Sequence, residues 1–356
     1  MPDRLIFWID CAVDEPVTRP AGPRVCIMRT TVQGASFLLA GLLVAALVLT
    51  LVSAAASAQE RTPRYVIYYN SNASQPETLI GTPYTHVILS FVTVAPGASA
   101  EGPVSLVVPG KLAPALAVIG RLQAEGKRVL ISFGGGDMQL HSYTGLVGRE
   151  ESLADAIAAF VSVHGFDGVD IDFEVSAALH RRQSPGVLDG RRFLIDLTAA
   201  LRKRLPAEAL ISHAPQAPYL DPAWQGGPYI DVLHAVGDAI DWIMVQYYNN
   251  PDYEAPVARQ IVGQSPQPFA TSYAGIVNSP WPSEKTLVGL PVYRDDASSG
   301  HLPPQRVVSE VVCPLRHRYG PTFGGLTGWQ FSTLTPDHRF WNDQMSGAVI
   351  GSGCDK

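Results

Sequence analysis

Three carboxylates stand at alternate positions in one short run, Phe166-Asp167-Gly168-Val169-Asp170-Ile171-Asp172-Phe173-Glu174, with Val169, Ile171 and Phe173 between them. A period of two is a strand signature and sends the two sets to opposite faces. If the apolar set packs beneath covering helices, Asp170, Asp172 and Glu174 point the other way in ascending layers. Carboxyls held that close share protons and titrate as a group, which keeps one of them protonated near neutral pH. A protonated carboxyl at such a pH is what a general acid requires. The competing reading is a Ca²⁺ or Mg²⁺ site, because D-x-D-x-D supplies oxygen ligands. An EF-hand loop, however, places glycine at its turn and polar residues between its ligands, where this run has Val, Ile and Phe. No metal and no cofactor is expected: the nine histidines are dispersed without H-E-x-x-H spacing, and phosphate loops and a G-x-S-x-G elbow are missing.

The elements that must position these acids follow from the alternation of β-branched runs with amphipathic ones. Strands are predicted over Arg64–Tyr69, Thr85–Phe91, Arg128–Phe133, Gly168–Phe173, Leu210–Ala214, Trp242–Tyr248, Leu287–Val292 and Leu326–Phe331. Helices are predicted over Leu112–Gln123, Leu153–His164, Arg191–Leu205, Ile230–Val236 and Gln305–Arg318, and the Pro-rich segment Ser265–Pro282 reads as a loop. Strands separated by helices imply parallel pairing with crossovers, and eight of them fit a single-domain (β/α)₈ TIM barrel. A doubly wound open sheet is the rival, but no G-x-G-x-x-G follows the first strand. In a barrel, Glu174 would stand at the C-terminal mouth, where barrel active sites form.

Composition narrows the class. Of 356 residues, 46% are hydrophobic, which excludes a disordered chain, and the net charge of −6 comes with no Lys/Arg run longer than three residues, so no nucleic-acid partner is expected. Ala35 to Val52 is almost continuously apolar, follows Arg29 and leads into Ala56-Ser57-Ala58. That order describes a secretory signal peptide cleaved after Ala58, with an uncleaved anchor as the alternative. Residues 1–58 are thus expected to be an N-terminal extension and signal peptide, with Met28 as the true start and residues 1–27 outside the protein; residues 59–356 form the barrel. The mature form is expected to be secreted, monomeric and free of the membrane. Cys313 and Cys354 are the cysteines left after Ala58, and an oxidising compartment permits them to pair, the alternative being two free thiols.

The acidic run matches D-G-x-D-x-D-x-E and resembles the signature of glycoside hydrolase family 18, the chitinases and their relatives. Further elements similar to that family occur in order along the chain. Ser132-Phe133-Gly134-Gly135 looks like its S-x-G-G segment, and Gln246-Tyr247-Tyr248-Asn249 resembles the Q-x-Y-N variant of plant-type and related bacterial chitinases. Trp329 takes the place of the family's tryptophan on the eighth strand, Tyr68 that of its tyrosine on the first, and Ala214-Pro215-Gln216-Ala217-Pro218 looks like the fifth-strand segment.

The resemblance implies a retaining, substrate-assisted hydrolysis of N-acetylglucosamine polymers, an exception to the two-carboxylate scheme. Glu174 would act as acid and then base, Asp172 would orient the 2-acetamido group, and Asp170 would share a proton with Asp172 beside Ser132. Tyr248 would donate to the acetamido oxygen with Tyr68 nearby, Gln246 and Asn249 would line the pocket, and Trp329 would form the floor under the sugar. Gly134 and Gly135 would let the substrate or a neighbouring loop approach closely. Tyr293 to Gly325 leaves no room for an α+β insertion, so an open cleft and endo action on chitin or N-acetylglucosamine oligomers are expected. Two rival readings share the barrel: an endo-β-N-acetylglucosaminidase acting on N-glycan chitobiose cores, and a non-catalytic chitin-binding lectin.

Overall fold

The computed structural model describes residues 63–355 except 71–73, 95–101, 181–187, 255–257, 264–269 and 280. The apolar Ala35–Val52 stretch and the Ala58 site lie outside the described residues.

Among the described residues nine strands form one sheet: β1 (Arg64–Tyr69), β2 (His86–Val94), β3 (Leu106–Val107), β4 (Arg128–Gly134), β5 (Gly168–Asp172), β6 (Leu210–His213), β7 (Trp242–Gln246), β8 (Thr286–Pro291) and β9 (Gly325–Trp329). Eight of them pair in parallel in the order β1-β9-β8-β7-β6-β5-β4-β2, and β1 pairs with β2 to close the ring. This is a (β/α)₈ barrel, and closure leaves it without a sheet edge. The two-residue β3 is antiparallel to the end of β2, at Thr93↔Val107 and Val94↔Leu106, and has no counterpart in the sequence reading. Two residues are too few for a period to register.

The alternation on β5 divides as its pattern requires. Val169, Ile171 and Phe173 join the core between barrel and helices, whereas Asp170 and Asp172 face inward and are buried. Two helices clamp the outer side of β5. Helix Glu150–His164 buries Leu153, Ala154, Ile157 and Val161, one stripe at helical spacing, and stops at Gly165 in the left-handed conformation (φ 71°). Helix Gly190–Arg204 starts where the Asp189 carboxylate accepts from Arg191 N (3.1 Å) and Arg192 N (3.2 Å), and it buries Phe193, Leu194, Leu197 and Leu201. Each such aliphatic or aromatic side chain contributes about 1.5–3 kcal/mol, so β5 is held from outside without help from its acids. Inside, Val66, Tyr68, Ile88, Leu130, Trp242, Met244 and Leu287 fill the barrel.

The structure departs from the sequence reading in its short elements. Ser265–Pro282 contains a helix, Tyr273–Asn278, started by Ser272 Oγ accepting from Gly275 N at 3.0 Å; six residues are too few to show a helical period. The Leu112–Gln123 stretch splits into a 3₁₀ segment, Ala113–Val118, and an α-helix, Ile119–Ala124. Between β8 and β9 a helix runs from Pro304 to Tyr319 with a π-helical middle, Val307–Val312, and no strand intervenes. The insertion absent from the sequence pattern is absent here too. Cys313 on this helix is disulfide-bonded to Cys354.

Candidate active site

Asp170 is the deepest acid of the strand and is fully buried. Three hydroxyls donate to it: Tyr68 Oη (2.8 Å) and Ser132 Oγ (2.7 Å) to Oδ2, and Ser212 Oγ (2.8 Å) to Oδ1. The register puts Ser132 of β4 and Ser212 of β6 opposite Asp170, so both neighbours on the ladder supply a donor. Burial pushes Asp170 up to about 6, and the three hydroxyls pull against that shift. A carboxyl receiving three donors is an acceptor, hence ionised near neutral pH.

The next acid up is Asp172. Its carboxyl interacts with that of Glu174 and feels the charge of Asp170, whose own oxygens accept from the three hydroxyls. Gln246 Nε2 lies 2.9 Å from Asp172 Oδ1, 2.9 Å from the Ala214 carbonyl and 3.4 Å from Glu174 Oε1, so one amide spans both acids. Burial raises Asp172 well above its ordinary value, and the charges of Glu174 and Asp170 add to it. Burial also raises Glu174, against the hydrogen bonds it makes with Asp172, Gln246 and Gln216. Gln216 joins through the bridge Gln216↔Gln246 just beyond the short β6–β7 ladder. Asp172 and Glu174 thus lie together at the mouth of the barrel, with the Asp170 charge beneath them.

Around Glu174 an open cleft of about 460 Å³ is lined by Tyr68, Phe91, Gly136, Asp172, Tyr248, Asn249 and Trp329. Burial raises the Tyr248 phenol well above its ordinary value, and the charges of Asp172, Glu174 and Asp170 raise it further, so it stays a neutral donor. Trp329 is half-buried, edge-on to Tyr68 (centroids 5.7 Å, 65°) and stacked on Phe91 (5.7 Å, 29°), and its indole Nε1 donates to the Asp296 carbonyl at 2.9 Å. The peptide bonds Ser90–Phe91 and Trp329–Gln330 are cis. Asn249 lines the cleft, but its Oδ1 is occupied by Ser298 N and Oγ, each at 2.8 Å, so it supports the β8–β9 loop as well.

The two glycines of the β4 end serve the protein's own packing. A Cβ on Gly134 would lie 2.1 Å from the Asp172 carbonyl oxygen, and one on Gly135 would lie 2.6 Å from the Phe91 ring. Both have positive φ (117° and 82°), and Gly135 N donates to Asp172 O at 2.9 Å. The close approach foreseen at these positions is thus made by Asp172 and Phe91. Sequence reasoning missed Phe91, Ser212, Gly136 and the donor role of Gln216, since each acts across the barrel through no local motif.

The sequence profile of Glycosyl hydrolases family 18 matches residues 64–329, from the first barrel strand to Trp329. The chain belongs to glycosyl hydrolase family 18. A solved family 18 chitinase from Pseudoalteromonas aurantia is 35% identical, with a TM-score of 0.67 over 78% of this chain and 97% of that one. Chitinase D of Niallia circulans is 25% identical over 240 residues, 58% of this chain and 43% of its own length. A fungal endo-β-N-acetylglucosaminidase of family 18 aligns at 19% identity and a TM-score of 0.58, over 81% of this chain and 98% of that one, which shows a common fold. The chain spans about half the length of the curated relatives it matches (43% and 49% for the first two).

Proposed function

We propose that this family 18 glycoside hydrolase is a chitinase that cleaves β-1,4 links between N-acetylglucosamine units with retention, using the substrate's own acetamido group. One observation carries the reading: at the barrel mouth Asp172 and Glu174, bridged by the Gln246 amide, share a cleft with Tyr248 and Trp329. Glu174 gives its proton to the leaving glycosidic oxygen as the C1–O bond breaks. The acetamido carbonyl oxygen bonds to C1 on the opposite side and yields an oxazolinium ion. Asp172 accepts the acetamido N–H and, with ionised Asp170 beneath it, offsets the developing positive charge. Tyr248 donates to the acetamido oxygen and sets its line of attack. Water then attacks C1 as the bond from C1 to the acetamido oxygen breaks and restores the acetamido group, Glu174 takes a proton from that water, and the product keeps the β configuration.

Trp329 presents an apolar face to the sugar, with Phe91 beside it. Only a loop and helical segments lie between β8 and β9, which supports an open cleft and cutting within chains. Residues 59–356 are taken as the catalytic unit, monomeric and exported by cleavage after Ala58; the support is the apolar stretch ending in Ala-Ser-Ala.

The deciding experiment is the product profile on defined N-acetylglucosamine oligomers, with the anomer of the first products read by NMR. β-Anomers from internal bonds are expected. First products of α configuration would overturn the retaining mechanism. Activity confined to a high-mannose glycoprotein would replace the chitinase reading, and binding without turnover would make the protein a lectin.

A further inference from the structure

The loop after β8, Tyr293 to His301, touches both sides of the sugar site. On the floor side, the Asp296 carbonyl accepts the Trp329 indole N–H (2.9 Å). On the other side, Ser298 donates twice to Asn249 Oδ1 (2.8 Å each), and Ser299 Oγ donates to Glu254 Oε1 (2.6 Å). Gly300 packs so tightly on Tyr248 that an added Cβ would lie 2.6 Å from its Cα. The floor and the phenol donor thus rest on one segment.

That segment is fastened from outside the barrel. Asp296 Oδ2 accepts Tyr293 N–H (2.8 Å), closing the short turn Arg294–Asp296, and it meets His338 Nε2 at 3.2 Å with both side chains nearly buried. His338 belongs to helix Pro336–Asp343, where Thr335 Oγ1 holds its other ring nitrogen at 2.7 Å. The neighbouring helix residue, Asp337, lies 3.2 Å from His301 Nε2 at the far end of the same loop. That second contact lacks hydrogen-bond alignment, whereas the Asp296–His338 pair is a hydrogen bond. Two histidine–aspartate contacts of opposite direction therefore join one loop to one helix.

We infer that Asp296 is a positioning residue for substrate binding: latched to His338, it fixes the loop that holds the Trp329 ring beneath the sugar. The inference rests on the reading of Trp329 as the sugar floor. Its residues do not touch the reacting atoms, so loss of the latch should raise KM for short oligomers more than it lowers kcat. A double-mutant cycle isolates the link from general destabilisation. Trp329→Phe removes the indole N–H and Asp296→Ala removes the latch; each is expected to lower kcat/KM by about 10-fold, the value of one hydrogen bond.

The test measures kcat and KM on N-acetylglucosamine tetramer for wild type, both single variants and the double variant, each checked for folding by circular dichroism. The double variant should lose about 10-fold, not the about 100-fold of independent effects. Additive losses, or an Asp296→Ala variant with unchanged KM, would overturn the latch. His338→Ala, which removes the ring and its contact with Asp296, serves the same cycle if Asp296→Ala does not fold, with the same two outcomes. A wild type that leaves the tetramer intact would instead overturn the chitinase reading, and the latch as a device for substrate binding with it.

Discussion

The Gln246 amide bridges two carboxyls, its Nε2 lying 2.9 Å from Asp172 Oδ1 and 3.4 Å from Glu174 Oε1. Such a pair binds one proton between two acids, so its titration belongs to the pair. Both values are raised, first by burial, and the mutual charge adds to that of Asp172.

The pH dependence follows with a definite sign. Catalysis as proposed needs the proton on Glu174, so kcat/KM should fall as pH rises through the raised value of the pair, above the ordinary carboxylate range of about 4. The same ionisation acts on stability. Folded-state values above the unfolded ones give stability that is complete below about pH 4 and lost as pH rises through the folded values. Asp172→Asn should therefore flatten the decline of the denaturant midpoint between about pH 4 and neutrality. An unchanged slope in urea titrations across that window would refute the buried, raised pair.

Removing the acid while keeping its shape separates chemistry from binding. Glu174→Gln retains hydrogen-bonding capacity toward Asp172 and Gln246, and general acid–base catalysis is typically worth about 10²–10⁴-fold. Turnover of N-acetylglucosamine oligomers is expected to drop by about that factor, with their dissociation constant by calorimetry within about threefold. A variant that keeps more than a tenth of the activity would place the acid elsewhere.

The parts legible in the sequence were those with a local period or a position at a strand end. Val169, Ile171 and Phe173 against Asp170, Asp172 and Glu174 announced one strand and its two faces. Tyr68, Gln246, Tyr248 and Trp329 could be placed through the resemblance to family 18, whose motifs fall here at or beside the ends of hydrophobic runs. Ser212 could not, because its bond to Asp170 spans 42 residues and depends on the β5–β6 register. Phe91 was counted as an ordinary strand residue, and only the closed barrel brings it against Trp329 and Gly135. The loop from Tyr293 to His301 carries no period at all; its meaning comes from a helix about 40 residues further on, joined through His338 and Asp337.

Gly134 offers a test of how tightly the site is built. A methyl there would face the Asp172 carbonyl oxygen at 2.1 Å, on a backbone with φ 117°. Strain of about 1–3 kcal/mol in the backbone and a similar overpacking cost are expected together. Gly134→Ala should lower stability by about 3 kcal/mol or more in denaturant titration and should impair turnover as well, because the strand that moves carries Asp172. Wild-type stability in this variant would show that β4 and β5 are not in the described contact.

Cys313 and Cys354 make the opposite case, a link that should matter for stability and not for chemistry. The bond closes a separation of 41 residues and ties the tail to the helix after β8, where Arg316 Nη1 (2.8 Å to Ala348 O) and His317 Nε2 (2.9 Å to Cys354 O) already hold it. Neither cysteine lines the cleft around Glu174. Restricting the unfolded chain over such a loop is worth about 4 kcal/mol at most, and the retained contacts reduce what is lost on unfolding of the tail alone. The variant Cys313→Ser/Cys354→Ser is expected to lose about 2–4 kcal/mol, a fall of roughly 4–16 °C in Tm for a domain of this size. Its kcat/KM at 25 °C should equal that of wild type, since the barrel strands that carry Asp172, Tyr248 and Trp329 are fixed by their own ladders. A loss of activity that precedes any loss of helical signal on reduction would mean that the tail supports the site directly.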